Sequence, residues 1–175
     1  MQHTQVRVAE PVLDGNEAQY VLECIQDTWI SSRGKFIDRF EQMLAEFCEV
    51  GNAVVTNNGT SALHLALAAC GIGLGDEVIL PSFTFVSTVN AFVLRGAKPL
   101  FADIRADTLN IDETKIEELL STKTKAIVPV HYAGIGCEMD AISAIAQRHH
   151  LKIVEDNAHG LFGKYRSRKL GTFGE

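Results

Sequence analysis

Three short stretches of the 175-residue chain carry residue types that could hold a small charged ligand. Gly59-Thr60-Ser61 opens the most apolar helical stretch of the sequence. A glycine turn followed by hydroxyl residues at a helix N-terminus offers backbone N–H groups, hydroxyl donors and a positive dipole end, which suits a phosphate. The same residues also suit an ordinary N-cap. Asp156 follows a Val- and Ile-containing run. A carboxylate there can hold a cationic ring nitrogen or a metal, or simply cap the next turn. His159 stands three residues on and could reach the same ligand, or be a satisfied surface or core histidine. Phe85 could stack on a flat ring, or fill the core as aromatics usually do.

Other chemistries fail on context. Gly71-Ile72-Gly73-Leu74-Gly75 follows a helical stretch and precedes a strand, the reverse of a dinucleotide fingerprint. There is no GxxxxGK[ST] phosphate loop and no GxSxG elbow. His149-His150 lacks an HExxH frame, and no Cys/His spacing suggests a metal site. His131 and Cys137 are read as structural, because nothing nearby supports a nucleophile.

These residues need a scaffold. Apolar positions at spacings of three and four predict helices over about 16–27 and 36–47, joined by the Trp29–Gly34 loop. From residue 52 short apolar runs at 53–56, 77–80, 99–102, 126–130 and 153–155 alternate with helical patterns at about 60–71, 84–95, 112–120 and 138–149. That alternation predicts an α/β fold with a mostly parallel sheet covered on both faces. Ligands of such sheets bind beyond the carboxyl ends of the strands. The residues there are 57–61, 81–85, Asp103, His131-Tyr132 and 156–159. The topology thus gathers distant positions into one site. The division expected is a helical segment over 1–50 and an incomplete large domain over 51–175. Residues 162–175 read as turns and short extended pieces, not as a domain finishing.

Composition bounds the partners. With 46% hydrophobic and 22% charged residues the chain is a folding one. A net charge of −6 and no basic block argue against nucleic acid. Four scattered cysteines read as reduced thiols in the cytoplasm. The first residues do not form a signal peptide. The uncharged stretch 50–75 has too short an apolar part to span a membrane, and reads as a buried helix.

The strings Asn58-Gly59-Thr60-Ser61-Ala62-Leu63, Gly75-Asp76-Glu77-Val78-Ile79 and Pro81-Ser82-Phe83-Thr84-Phe85 resemble the DegT/DnrJ-type sugar-nucleotide aminotransferases. So do Asn110-Ile111-Asp112, Val128-Pro129-Val130-His131 and Val154-Glu155-Asp156-Asn157-Ala158-His159-Gly160, and the likeness runs from about Val8 to Glu175. Residues 83–140 are most like enzymes that aminate dTDP-4-keto-6-deoxy sugars. The Trp29-Ile30-Ser31-Ser32 loop is more like perosamine synthases, which act on a GDP sugar, and so assigns Trp29, Ser31 and Ser32 to substrate. The resemblance implies a fold-type-I scaffold with a seven-stranded-type sheet that binds pyridoxal 5'-phosphate (PLP). Gly59, Thr60 and Ser61 would take the phosphate and Phe85 would stack on the pyridine ring. Asp156 would pair with the ring nitrogen and His159 would lie near the phenolic oxygen. An ionised Asp156 keeps that nitrogen protonated and the cofactor a strong electron sink.

The resemblance also implies a lysine that binds the cofactor covalently. It belongs in a Ser-Phe-x-x-x-Lys segment shortly after the Gly-Thr-Phe-Gly that here is 171–174, beyond Glu175. The small C-terminal domain likewise lies beyond the chain. The implied activity is transamination of a nucleotide-linked 4-keto-6-deoxy sugar with glutamate, by a cytoplasmic homodimer making surface polysaccharide or O-antigen precursors. The alternatives are a relative with His in place of the lysine, performing PLP-dependent 3-dehydration, and a truncated product without catalysis.

Overall fold

A computed structural model describes residues 10–175. The reading of the extreme N-terminus, the first nine residues of the 1–50 segment and the start of the resemblance at Val8 fall outside the described residues. Two amphipathic helices come first, α1 (Glu17–Gln26) and α2 (Lys35–Cys48). Tyr20 and Phe36 bring them together with ring centroids 4.9 Å apart, and Lys35 on α2 pairs with Glu23 and Asp27 of the α1 end. Neither helix has a buried residue.

The rest alternates as expected: α3 (Gly59–Ala69), β1 (Glu77–Pro81), α4 (Val86–Val93), β2 (Lys98–Ala102), β3 (Thr124–Ile127), α5 (Met139–His149) and β4 (Lys152–Ile153). The strands form a parallel sheet in the order β2-β1-β3-β4. Successive side chains point to opposite faces. Val78 and Leu80 of β1, Ala126 and Val128 along β3, and Val154 after β4 pack with Leu67, Ala91 and Phe92 of α3 and α4. Ile79, Ile127 and Ile153, one residue out of phase, pack with Met139, Ile142 and Ile145 of α5. Both faces are therefore covered at β1, which is buried without a break from Val78 to Pro81.

Four expectations need correcting. Run 53–56 forms no ladder: Val54 is exposed, and the Val55 N–H donates 2.8 Å to the Glu41 carboxylate instead of to a strand. Stretch 112–120 is two 3-10 turns, Glu113–Lys115 and Glu117–Leu119, not one helix. Asp112 caps the first through the Thr114 N–H, 3.0 Å, and Ile116 between them is buried in the core. Helix α3 is only partly buried: Leu67 is enclosed and Leu65 is exposed. Among the described residues no helix is long and apolar enough to cross a membrane.

Strand β3 also stops short of 130. Pro129 has no N–H to give the ladder. Contact resumes beyond it: the Asp156 N–H donates to the Pro129 carbonyl, 2.9 Å, and the His131 N–H to the Asp156 carbonyl, 3.1 Å. The chain closes with an antiparallel hairpin, β5 (Lys164–Tyr165) and β6 (Arg168–Lys169), in keeping with the turns and short extended pieces read over 162–175.

Candidate active site

The carboxyl ends of β1 and β4, the segment after β3 and the N-termini of α3 and α4 open on one cavity of about 790 Å³. It brings together Gly59, Thr60, Phe85, Asp156 and His159, five of the six residues assigned to the cofactor. Ser61 does not line it, and its backbone N–H is taken by the Asn58 side chain at 2.9 Å. Asn58 is thus the N-cap of α3, which leaves the Thr60 hydroxyl for another partner. That partner is Ser87 in the first turn of α4, 2.9 Å away, so the two helix starts are tied together at the cavity wall. A Cβ at Gly59 would meet nothing within 4 Å, so backbone is open to a ligand there.

Asp156 is buried, 7% exposed, yet part of the cavity lining. One oxygen accepts from the Thr88 hydroxyl at 2.6 Å and the other from the Ala158 N–H at 3.2 Å. The turn-capping role is therefore real, and it is not exclusive. A carboxylate has about four lone-pair sites, so acceptor capacity remains for a ligand. Phe85 is the residue before α4 and is 73% exposed at the cavity wall, a stacking surface and not a core side chain.

His159 is held from below. The Ala133 N–H donates to its Nδ1 at 3.2 Å, so the neutral ring carries its hydrogen on Nε2. The turn that aims Ala133 is left-handed at Ala133 and Gly134, with φ of 52° and 81°. A Cβ at Gly134 would sit 3.1 Å from the His159 carbonyl oxygen, so glycine serves the close approach as well as the turn. The Tyr132 ring lies edge-on to His159 and to Phe83, with centroids 5.7 and 4.8 Å apart.

Behind Asp156 lies a buried anchor that the sequence did not announce. Glu155 accepts from His131 Nε2 at 2.8 Å and from the Gly171, Phe173 and Gly174 N–H groups at 2.9, 2.6 and 2.9 Å. The Cys137 N–H fills His131 Nδ1 at 3.1 Å, which fixes the tautomer that donates to Glu155. Burial pushes the Glu155 carboxyl up, but the hydrogen bonds from His131, Gly171 and Gly174 outweigh it and hold it below the ordinary carboxylate value. Burial also pushes the Cys137 thiol up to about 12, and its Sγ donates to the Val130 carbonyl at 3.3 Å. The structural reading of His131 and Cys137 stands. All four cysteines are free thiols.

Trp29 and Ser31 line a separate cavity of about 690 Å³ between α1 and α2, with Arg33 and Lys35, and share no residue with the first; Ser32 lines neither. Sequence reasoning missed Ser87, Thr88 and Glu155. The i,i+4 spacing of Thr84 and Thr88 was the one available signal for the second.

A parallel sheet covered on both faces, with a buried carboxylate, an open aromatic ring and a helix start around one cavity at its carboxyl edge, defines an α/β cofactor-binding protein. The chain belongs to the DegT/DnrJ/EryC1/StrS aminotransferase family, whose model matches residues 11–175. It is 49% identical over 171 residues to GDP-perosamine synthase of Caulobacter vibrioides, covering 98% of this chain and 46% of that protein. The solved aminotransferase from Psychrobacter cryohalolentis matches with a TM-score of 0.90 at 38% identity, covering 94% of this chain and 42% of that one. NtdA from Bacillus subtilis, with bound cofactor PMP, matches with a TM-score of 0.81 at 34% identity, covering 87% and 36%. The chain spans under half the length of these relatives.

Proposed function

We propose that the chain supplies most of the cofactor cradle of a PLP-dependent aminotransferase that moves the amino group of glutamate onto a nucleotide-linked 4-keto-6-deoxy sugar. The observation that carries this reading is Asp156: a buried carboxylate just beyond β4, bridged to Val130 after β3, with one donor on each oxygen and a place in the cavity lining. That is the environment a protonated heterocyclic nitrogen requires. When bound, PLP supplies an electron sink for the carbanion left when an amino acid loses its α-proton. Asp156 would hold the charge on the ring nitrogen, Phe85 would press on the ring face, and Gly59 and Thr60 would take the phosphate. His159 would donate from Nε2 to the phenolic oxygen. Over the whole reaction a carbonyl and an amine exchange places: the sugar gains nitrogen and glutamate leaves as 2-oxoglutarate.

The 49% likeness to a GDP-perosamine synthase supports GDP as the nucleotide, with Trp29, Ser31 and Ser32 on the substrate side. The same reading takes residues 1–50 as a helical segment and 51–175 as part of the large domain. It makes the whole enzyme a cytoplasmic homodimer feeding surface-polysaccharide synthesis. The test uses the whole protein loaded with PLP. Glutamate alone should convert the bound cofactor to its amino form and release 2-oxoglutarate in a 1:1 ratio to sites. A protein that binds PLP but releases no 2-oxoglutarate overturns the reading.

A further inference from the structure

Asp156 does not stand alone at the cavity floor. Thr84 precedes α4 and lines the cavity, and Thr88 lies one helical turn on, fully buried at 1% exposure. Thr84 stands before the extended Phe85 N-cap, so the contact between the two hydroxyls spans the start of the helix. Their oxygens are 3.1 Å apart, and Thr88 Oγ1 is 2.6 Å from Asp156 Oδ2. A carboxylate only accepts, so the single Thr88 proton goes to Asp156. The Thr88 oxygen is then free to accept, and the Thr84 hydroxyl fills it. The direction of the chain is fixed: Thr84 to Thr88 to Asp156. A charge-assisted bond of this length in a buried place is among the stronger ones. It restrains the Asp156 carboxylate, which the Ala158 N–H holds on its other oxygen, where it lines the cavity.

From this geometry we infer that Thr88 is a positioning residue for the cofactor: its hydroxyl holds the Asp156 carboxylate at the ring-nitrogen position, and Thr84 holds Thr88. The inference rests on the aminotransferase reading, since it acts only through Asp156. Thr88→Val keeps the branched shape and removes the donor. Thr88→Ser keeps the donor and removes the methyl.

The experiment measures the PLP dissociation constant, kcat and KM of the whole enzyme for the parent, Thr88→Val, Thr88→Ser, Asp156→Ala and the Thr88→Val/Asp156→Ala pair. A melting curve for each checks folding. Thr88→Val should weaken PLP binding about tenfold and lower kcat with little change in KM for the sugar. Thr88→Ser should restore both to within about threefold. In the Asp156→Ala background Thr88→Val should add nothing, because its partner is gone. If Asp156→Ala weakens PLP binding while Thr88→Val does not, the reading of the site stands and the inference falls. The inference also falls if Thr88→Ser is as impaired as Thr88→Val. If Asp156→Ala binds and turns over like the parent, the aminotransferase reading itself fails.

Discussion

Replacing Glu155, which itself lines the cavity, with glutamine should loosen the floor of the candidate site while leaving the residues assigned to the cofactor unchanged. The Glu155 carboxylate is 3% exposed and takes four donors, two on each oxygen. A glutamine offers one oxygen and turns an NH₂ toward the other pair. Either His131 and Gly171 or Phe173 and Gly174 then face a donor instead of an acceptor. A hydrogen bond to a charged group contributes roughly 1.5–3 kcal/mol. Two lost, less the relief of no longer burying a charge, leaves about 3 kcal/mol, a large part of a domain's total stability. The sign with pH is also set. The folded carboxyl lies below its ordinary value of 4.5, so its contribution is complete above pH 4.5 and fades as pH falls through the folded value. Urea denaturation at pH 7 and at pH 3.5 reads both effects. The two proteins should differ by about 3 kcal/mol at pH 7 and by clearly less at pH 3.5, and amide exchange at Gly171, Phe173 and Gly174 should quicken in the variant. Equal midpoints at pH 7 with unchanged exchange would refute the reasoning.

Three further outcomes follow from the same geometry. Asp156→Asn in the whole enzyme should lower kcat about 100-fold or more, the scale for losing a positioned electrostatic partner, read by 2-oxoglutarate release. Gly174→Ala would set a Cβ 2.4 Å from the Ile153 carbonyl and disturb the 3.1 Å bond from the Glu175 N–H to that same oxygen; it should cost about 1–3 kcal/mol in a melting or urea curve. In the native protein at pH 8 the buried Cys137 should stay unlabelled by a thiol reagent while the partly exposed Cys24 and Cys48 react, as peptide mapping would show.

Much of this was legible in the residues. A parallel strand buried on both faces must be apolar, so the 77–80 run stands out, while 99–102 is apolar although it forms an edge strand with Phe101 exposed; the helices keep their own period. The rule that ligands sit at the carboxyl ends of strands gathers Thr60, Phe85, Asp156 and His159 from the sequence, and all four line the one cavity. Run 53–56 misled because an apolar stretch records burial preference and not the presence of a strand to pair with. Stretch 112–120 misled because Ile116 needs a single buried position, which two short turns provide as well as a helix. Thr88 and Glu155 were hidden for a different reason. Thr88 meets its partner 68 residues away, and the Glu155 partners lie between 16 and 24 residues away. A charged residue ending a strand shows nothing of the donors that later close around it.

The most direct test of the central claim is the mass of the sugar product. The whole protein, with PLP and glutamate, is given a GDP-linked 4-keto-6-deoxyhexose, and the nucleotide sugar is analysed before and after. The account predicts replacement of the C4 carbonyl oxygen by an amino group, with the nitrogen traced to ¹⁵N-glutamate. A product that has lost its C3 hydroxyl and gained no nitrogen would contradict it and make the enzyme a dehydratase on the same scaffold.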